Sequence, residues 1–313
     1  MSDSPGRRAD GRALPGGRGS AVTVGTFDGV HRGHWAVLER LDRTAVETGL
    51  SSLLITFEPH PLEIVRPDIA PKLLTTVDEK KEVLSLSRID YVALLAFTDS
   101  LSRYLPEEFV REILIERFRL RQLVVGYDHG FGRDRRGDPE TLKEIGARYG
   151  FGVEVVGPVL LHGEPISSTL IREAVAAGEV ERARAALGRP YSLTGLVIHG
   201  EGRGHGLGFP TANLQVEDAR KLLPRDGVYA VRAAAAGHLG NGLLHLGPRP
   251  TFRGSPPSVE LHLLDFDGDL YDERVRVEVL RRLRDVRPFD SPDRLVEQMK
   301  RDRAAALDYF DRE

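Results

Sequence analysis

The decapeptide GTFDGVHRGH, residues 25–34, stands where a buried strand is predicted to turn into a helix. The apolar run AVTV precedes it, and the amphipathic run WAVLERL follows it. Its two histidines, His31 and His34, are three residues apart, so on the first turn of a helix their side chains point the same way. Free backbone N–H groups and the positive end of the helix dipole favour an anion there. The stretch therefore predicts an anion site at a strand-to-helix junction.

The three glycines of this decapeptide support that interpretation. Gly25, Gly29 and Gly33 let the backbone approach a ligand closely. The sequence has neither G-x-x-x-x-G-K-[ST] nor G-x-G-x-x-G, so the nucleotide folds that carry those motifs are not indicated. A catalytic zinc ion needs a third protein ligand, and no third ligand is obvious from the spacing. A polyanion such as a triphosphate suits the pair.

Runs typical of strands alternate with helical runs around the decapeptide. The predicted strands are SAVTVGT (20–26), SSLLITFE (51–58), IDYVALLAF (89–97), RQLVVG (121–126) and GVEVVGP (152–158). The helical runs between them are HWAVLERLDRTAVETG (34–49), PEEFVREILIERF (106–118) and DPETLKEIGARYG (138–150). This order predicts an α/β fold with a parallel sheet covered on both faces. Ligands of such sheets bind at the carboxyl ends of strands, where residues 25–34 and GYDHGFG (126–132) are found.

The pattern changes near residue 190. Two short helices, SSTLIREAVAAG (167–178) and VERARAALG (180–188), close the first part. Strands separated by turn residues then follow, at LTGLVIHG (193–200), GVYAVRAAAAG (227–237), HLGNGLLHLG (238–247), SVELHLLDF (258–266) and RVRVEVLRRL (274–283). We expect a small antiparallel β-barrel and a C-terminal helix over 293–310. The predicted organisation is a disordered tail over 1–20, one domain over 21–188 and a second over 189–313.

Composition limits the class of protein. The 313 residues include 44 Lys and Arg against 47 Asp and Glu, so the net charge of −3 gives no overall electrostatic footprint for nucleic acid. The absence of cysteine excludes disulfides, thiolate metal sites and cysteine nucleophiles. No apolar run approaches the roughly 20 residues that span a bilayer, and the first twenty residues lack the apolar core of a secretory signal. The sequence predicts a cytoplasmic enzyme without nucleic-acid or membrane partners and leaves the oligomeric state open.

Two further motifs have a structural and a functional interpretation. In ISSTLIREAV (166–175) the hydroxyl residues cap a helix in the structural interpretation, whereas Arg172 clamps a phosphate in the functional one. In TFEPHP (56–61) the prolines simply end a strand, or Phe57 offers a flat apolar wall to a ligand. The glycine-rich basic stretches 132–138 and 200–206 are either solvated loops or anion-binding loops.

Taken in order, these motifs resemble the bacterial bifunctional riboflavin kinase/FAD synthetase family. The first half carries GTFDGVHRGH, TFEPHP, VVGYDHGFG and ISSTLIR, and the second carries GRGHGLGFPTANL, DGVYAV, GPRPTF and VELHLLDFDGDLY. The resemblance covers residues 21–310. It implies a Rossmann-like nucleotidylyltransferase domain followed by a riboflavin kinase barrel. It also implies that the protein phosphorylates riboflavin to FMN and adenylylates FMN to FAD, with ATP as co-substrate and Mg²⁺ as cofactor.

In the first half, the resemblance assigns the adenylyltransferase residues. His31 and His34 would donate to the phosphates near the α position, and Arg172 would hold the β and γ groups, whose departure it helps. The implied ATP contacts are Gly25, Thr26, Phe27, Gly33, Asp128, Ser167, Ser168 and Thr169, and the implied flavin contacts are Phe57, Pro59 and Phe131. The FMN phosphate is ionised at neutral pH, since its second pKa is about 6. The reaction therefore needs alignment and charge stabilisation, and no general base.

In the second half, the resemblance assigns the kinase residues. Glu260 would act as the base for the neutral hydroxyl of riboflavin, although an outward-facing strand glutamate is the ordinary alternative. Thr211 and Asn213 match the contacts to Mg²⁺ and ATP. The remaining implied ATP contacts are Gly202, Gly204, His205, Gly208 and Pro210. The chain departs from the family pattern at His205, where many members carry Arg or Lys, and at His245, where Asn is usual.

Three alternatives keep the fold and change the function. The protein could be an FMN adenylyltransferase whose kinase module is impaired and only binds flavin. It could also be a flavin-binding paralogue without turnover, or an enzyme that transfers nucleotides to a different phosphate. Retention of His31, His34, Arg172 and Glu260 argues against the paralogue, and the kinase-like second half argues against another acceptor.

Overall fold

The structure, a computed structural model, describes residues 17–130, 132, 137–199, 209–235, 237–248, 258–266 and 268–313, together with the backbone of 7–8. The chain divides into two compact units. The first comprises Met1–Pro71 and Val77–Ser167, and the second comprises Lys72–Thr76 and Ser168–Glu313. The domain boundary at 188/189 stays a prediction, and α7 and α8, defined below, group with the second unit.

The first unit is built on a parallel sheet. Its strands are β1 Arg7–Arg8, β2 Ser20–Val24, β3 Ser51–Glu58, β4 Tyr91–Ala96, β5 Leu120–Gly126 and β6 Gly152–Val156. They lie in the order β1-β4-β3-β2-β5-β6, and every pair is parallel. The order runs in one direction from β2 through β3 to β4 and in the other through β5 to β6. Strands β2 and β5 therefore flank a topological switch point.

Helical segments follow the strands of the first unit. They are α1 Arg32–Thr48, α2 Pro61–Val65, α3 Val77–Leu84, α4 Asp99–Ser102, α5 Pro106–Glu108 and α6 Pro139–Tyr149, with a 3₁₀ turn at Pro67–Ile69 and a π-helical segment at Phe109–Arg117. A short hairpin of β7 Leu160–Leu161 and β8 Glu164–Pro165 precedes the second unit. The helix predicted over 106–118 is thus divided into α5 and the π-helical segment.

Both faces of this sheet are covered. On one face, Leu54 and Val124 pack with Leu38 and Leu41 of α1 and Val83 of α3. On the other, strand residues pack with the π-helical segment and α6, through Ile55, Leu123, Val125, Leu114 and Leu142. Strands buried on both faces carry continuous apolar runs, as LLI of β3 and LVV of β5 do. The predicted α/β class is confirmed.

The second unit is a closed antiparallel barrel with helices against it. Helices α7 Ser168–Ala177 and α8 Val180–Leu187 come first. The barrel order is β10-β13-β12-β11-β14-β9, with β9 pairing back to β10. Its strands are β9 Tyr191–Ile198, β10 Ala212–Val216, β11 Gly227–Ala235, β12 His238–Gly247, β13 Ser258–Leu263 and β14 Arg274–Arg284. The final helix α9, Pro292–Phe310, packs Ala306 against Val228 and Leu243 on the outside.

The barrel confirms the predicted architecture and adds one strand. Five of its strands coincide with the predicted runs, whereas β10 was assigned only as a motif. The sequence of β10, ANLQV, does alternate, and Leu214 lies in the barrel core while Gln215 is exposed. Helix α3 was also not predicted. Two of its buried residues, Glu79 and Lys80, are charged, so its inward face does not look apolar.

Candidate active sites

The decapeptide occupies the switch point of the first sheet. Strand β2 ends at Val24, and α1 begins at Arg32, with His31 as its N-cap. Strand β5, the neighbour of β2 on the far side of the switch, ends at Gly126, just before Asp128. Open α/β sheets bind ligands outside the carboxyl ends of strands at this kind of crevice. The structure thus places the 25–34 and 126–128 segments at the same end of neighbouring strands, as predicted.

His31 and His34 hold each other in a reciprocal cap. The His34 N–H donates to Nδ1 of His31, and the His31 N–H donates to Nδ1 of His34, each over 3.3 Å. Their rings stack with centroids 3.7 Å apart and planes 18° apart. An Nδ1 that accepts an N–H carries no proton, so each neutral imidazole keeps its proton on Nε2. The pair therefore carries two Nε2–H groups at the N-terminus of a 17-residue helix.

The loop before the cap is tightly constrained. Phe27 and Val30 have positive φ angles of 46° and 39°, which non-glycine residues seldom adopt. The Phe27 ring is buried and lies 4.7 Å from the ring of His34. A Cβ added at Gly33 would come within 3.1 Å of the His31 ring, so a larger residue there would require the ring to move by a few tenths of an ångström. Strained backbone of this kind persists where the surroundings over-determine it, commonly at functional sites.

A buried lysine anchors the same loop. The carbonyl oxygen of Thr26 accepts from Nζ of Lys80 at 2.8 Å and from Oγ1 of Thr56 at 3.0 Å. Lys80 is 8% exposed, and burial lowers the pKa of its ammonium group, while the nearby carboxylates of Asp28 and Glu58 partly oppose that shift. A planar trans peptide points its N–H opposite to its carbonyl. Because Lys80 and Thr56 hold the Thr26 carbonyl, the N–H of Phe27, in the same peptide unit, points away from these two side chains.

The other predicted first-half residues differ in exposure. Asp128 is exposed; burial, together with the charge of Asp128, raises the pKa of the adjacent Tyr127. Pro59 is half-buried after β3. Phe57 is only 7% exposed and packs edge-on against Phe97 at 5.3 Å, inside the hydrophobic core. Its role as a flavin wall stays a prediction, and Phe131 lies outside the described residues.

The ISSTLIR motif spans the end of the first unit and the start of the second. Ser167 immediately precedes α7, whereas Ser168 and Thr169 form its first turn. Arg172 follows one turn later and is half-buried. Its Nε donates to the carbonyl of Lys72 at 2.9 Å. Donation from Nε fixes the plane of the guanidinium group, which is the group predicted to bind phosphate.

Two of the predicted kinase residues, Asn213 and Glu260, form a row with His245 across three strands of the barrel. Glu260 on β13 is the register partner of Asn213 on β10 and of His245 on β12. Leu261 and Leu263 point into the barrel core, so the alternate residue Glu260 faces outward with its two partners. Directly paired residues have Cβ atoms about 4.5–5.5 Å apart. The carboxylate also accepts from Oγ of Ser258 at 2.7 Å.

The segment before β10 is held next to this row. The Pro210 carbonyl lies 2.7 Å from Nδ1 of His262, and the buried ring of Phe209 packs against the same histidine at 5.4 Å. Thr211, half-buried, is two residues before Asn213. The predicted ATP contacts Gly202, Gly204, His205 and Gly208 lie outside the described residues.

The donor set of this row fits magnesium and not a softer metal. Within the described residues, no group of three or more His, Cys, Asp or Glu side chains could hold a metal ion. Thr211 and Asn213 carry neutral side-chain oxygens, and the carboxylate of Glu260 belongs to the register partner of Asn213. Hard oxygen ligands, completed by phosphates and water, are what Mg²⁺ prefers.

Sequence reasoning did not identify two buried lysines. Lys80 contacts the decapeptide loop, as described above. Lys221 is 4% exposed and donates from Nζ to the carbonyl of Leu74 at 2.7 Å. Neither lysine belongs to a motif, and each has another charged residue beside it, in DEKKEVL (78–84) and in RKLLP (220–224).

Comparison with known proteins matches each half of the chain to a family. The model described as FAD synthetase matches residues 15–170, and the model described as riboflavin kinase matches residues 187–310. A Pseudomonas fluorescens protein named bifunctional riboflavin kinase/FMN adenylyltransferase is 41% identical over 93% of both chains. A Bacillus subtilis protein of the same name is 33% identical over 93% of this chain and 92% of its own.

A solved structure aligns with nearly the full length of the chain. A crystal structure described as a macrolide-efflux protein from Streptococcus pneumoniae aligns with a TM-score of 0.85 and 32% identity, covering 97% of this chain and 99% of that one. In the part of the present chain that the structure describes, no helix has the length and apolar character needed to cross a membrane.

Proposed function

The chain belongs to the family of bifunctional riboflavin kinase/FMN adenylyltransferases, and from that premise we propose how its own residues divide the two reactions. The protein phosphorylates riboflavin to FMN and joins FMN to the adenylyl group of ATP, which gives FAD and pyrophosphate. We assign adenylylation to the decapeptide of the first unit and keep Arg172 as the predicted phosphate-binding residue of that reaction, and we assign phosphorylation to the Asn213–Glu260 row of the barrel. A cytoplasmic location, where ATP is available, is part of the proposal.

The capped histidine pair carries the assignment of adenylylation. An FMN phosphate oxygen attacks the α-phosphorus of ATP, and the bond from that phosphorus to the bridging oxygen of pyrophosphate breaks. Negative charge grows on the non-bridging oxygens and on the leaving group. Preorganised donors directed at such charge stabilise a transition state strongly. The Nε2–H groups of His31 and His34, fixed by their reciprocal Nδ1 bonds, are donors of this kind.

Arg172 has a different task in this scheme. Its guanidinium would bind the β and γ phosphates and stabilise pyrophosphate as it leaves. The bond from Nε to the Lys72 carbonyl supports this role, because it orients the guanidinium before ATP arrives. Ser167, Ser168 and Thr169 would add hydroxyl or backbone donors near the start of α7.

Phosphorylation needs a base, and Glu260 is our candidate. Its carboxylate would accept the proton of the riboflavin 5′-hydroxyl as that oxygen attacks the γ-phosphorus of ATP and ADP leaves. The adjacent Asn213, with Thr211, supplies oxygens that would hold Mg²⁺. The metal ion would neutralise charge on the ATP phosphates when bound. The hydrogen bond from Ser258 fixes the orientation of the carboxylate.

The test measures both steps separately. The protein is incubated with riboflavin, ATP and Mg²⁺, or with FMN, ATP and Mg²⁺, and riboflavin, FMN and FAD are separated by chromatography. We expect His34→Ala to stop FAD formation and let FMN accumulate, and Glu260→Gln to stop FMN formation while FMN is still converted to FAD. Loss of both activities from either folded variant would contradict the two-site assignment. A wild-type protein that makes FAD only from FMN would have an impaired kinase module.

A further inference from the structure

A short segment of the first half of the sequence belongs structurally to the second unit. Residues Lys72–Thr76, which we call the strap, group with Ser168–Glu313. Leu73 pairs with Lys221 in a parallel bridge. The Leu73 N–H donates to the Arg220 carbonyl at 2.8 Å, and the Leu222 N–H donates to the Leu73 carbonyl at 2.9 Å. Leu73 and Leu74 are 4% and 1% exposed, so the strap is firmly embedded.

Lys221 ties the strap through its side chain. Its Nζ donates to the Leu74 carbonyl at 2.7 Å and lies 4.5 Å from the centroid of the Tyr191 ring. Tyr191, 2% exposed, donates in turn from its hydroxyl to the Leu222 carbonyl at 2.6 Å. Burying an ammonium group costs free energy unless it is well hydrogen-bonded. Lys221 meets this condition through the Leu74 carbonyl and the Tyr191 ring, so an apolar replacement would remove a hydrogen-bond donor from the strap.

One peptide unit connects the strap to Arg172. The peptide between Lys72 and Leu73 donates its N–H to the Arg220 carbonyl, and its carbonyl accepts from Nε of Arg172 at 2.9 Å. Because a trans peptide is planar, its N–H and carbonyl point in opposite directions. A rotation of this unit that weakened one bond would therefore misalign the other. The position of the strap thus sets the position of the acceptor that orients the guanidinium group.

We propose that Lys221 is a positioning residue for FMN adenylylation: it fixes the strap, and the strap fixes Arg172. A lysine in the half of the sequence that matches the riboflavin kinase family would then serve the reaction of the other half. The inference rests on the proposed function of Arg172. It predicts that removing the Lys221 ammonium group selectively weakens ATP use in FAD formation.

The experiment compares Lys221→Met with wild type in both reactions. Methionine keeps an unbranched apolar stem and removes the ammonium group. We expect kcat/KM for ATP in FMN adenylylation to fall about tenfold, since small misplacements of a phosphate-binding group cost large rate factors. The KM for FMN and the riboflavin kinase kinetics should stay within about twofold. Lys221→Arg, which keeps a cationic donor, should recover part of the loss, and Lys300→Met, a change at an exposed lysine of α9, is the matched control.

A double-mutant cycle tests the route of the effect. If Lys221 acts through Arg172, Lys221→Met should cost little more once Arg172→Ala is present, because coupled residues are not additive. Additive losses, or equal losses in both reactions, would overturn the proposal and leave Lys221 a purely structural residue. If Arg172→Ala alone leaves adenylylation unchanged, the assigned role of Arg172 fails first. If Arg172→Ala lowers activity and Lys221→Met does not, only the positioning inference fails.

A second variant keeps the test valid if Lys221→Met does not fold. Tyr191→Phe removes only the hydroxyl that donates to the carbonyl of Leu222, the residue whose N–H donates to the Leu73 carbonyl. A smaller selective loss of adenylylation, again absent in the Arg172→Ala background, supports the proposal. Unchanged adenylylation in a folded Tyr191→Phe protein would overturn it.

Discussion

Replacement of Lys80 by methionine should separate stability from adenylylation in the first unit. The side chain reaches through the core to the Thr26 carbonyl, in the loop that precedes the histidine cap. Methionine has a similar unbranched stem and removes the donor. The Thr26 carbonyl then keeps only the bond from Thr56. We expect the Thr26–Phe27 peptide to become less well fixed, and with it the Phe27 ring that contacts His34.

Two opposing contributions determine the change in stability. A hydrogen bond from a charged donor contributes about 1.5–3 kcal/mol to folding. Desolvation of the ammonium group acts in the opposite direction, and because burial lowers the pKa of Lys80, it outweighs the attraction to Asp28 and Glu58. Methionine removes both contributions. We therefore expect the free energy of unfolding to change by no more than about 1.5 kcal/mol, within the usual range for single substitutions.

The effect on catalysis should be larger than the effect on stability. If misalignment of the loop costs about 1.4 kcal/mol of transition-state stabilisation, FMN adenylylation slows about tenfold. Urea denaturation measures the first quantity, and steady-state FAD formation from FMN measures the second. Lys81→Met is the matched control, because Lys81 is exposed and forms an ion pair with Asp78 of the same helix, α3. A Lys80→Met protein with wild-type FAD formation would refute the reasoning.

Further predictions concern the cap and the buried charge. His31→Asn should keep the helix cap, because asparagine is a good N-cap residue, but it removes the Nε2–H donor. Thermal stability should therefore be nearly unchanged, while FAD formation falls strongly. FAD formation equal to that of wild type would show that His31 is not part of the site. Gly33→Ala should lower FAD formation and leave riboflavin phosphorylation intact, since the new Cβ would press on the His31 ring at 3.1 Å; an unaffected rate of FAD formation would show that the ring can shift without consequence. Because the pKa of Lys80 is lowered, the folded chain releases this proton at a lower pH than the unfolded chain does. The free energy of unfolding of wild type, relative to that of Lys80→Met, should therefore rise between pH 8 and 10.5, the ordinary pKa of lysine, when it is measured by urea denaturation. A difference that stays flat or falls would contradict a lowered pKa. His245→Asn should change the rate of riboflavin phosphorylation more than that of FAD formation, because His245 is the register partner of Glu260 in the barrel; an unchanged rate of phosphorylation would show that the imidazole has no part in that reaction.

The sheet and the barrel were predictable because their patterns are periodic. Strands β2 to β6 contain short apolar runs, such as LLI in β3 and LVV in β5, and amphipathic helices separate several of them. Strand β1, Arg7–Arg8, departs from the prediction, because it pairs with β4 although it lies in the tail that was expected to be disordered over 1–20. The barrel strands are separated by Gly, Pro, Asn and Asp. The strand β10 was not identified as a strand because its residues were interpreted as part of the motif GFPTANL. Its alternation was visible, with Ala212 and Leu214 separated by Asn213.

The candidate sites were predictable only in part. The sequence placed the decapeptide and Asp128 at the carboxyl ends of two strands, and in the structure these strands, β2 and β5, are parallel neighbours. It did not reveal that the two histidines cap each other, because a capping box is usually formed by hydroxyl, carboxyl or amide side chains. Nor did it show that Phe57 is enclosed in the core, since an aromatic residue at a strand end has the same sequence pattern whether it packs inward or lines a ligand site.

The two buried lysines explain why the rest of the site could not be inferred from patterns. A lysine in a helix or a turn is ordinarily an exposed residue, and nothing in DEKKEVL or in RKLLP marks Lys80 or Lys221 as an exception. Each donates to a backbone carbonyl in a segment distant in sequence, at Thr26 and at Leu74. A backbone carbonyl is the same group in every residue, so the sequence contains no complementary side chain that would indicate the partner of either lysine. Only a three-dimensional structure therefore reveals contacts between a side chain and a backbone group that is distant in sequence. Here the contacts of Lys80 and Lys221 hold segments that carry or orient the candidate phosphate-binding residues.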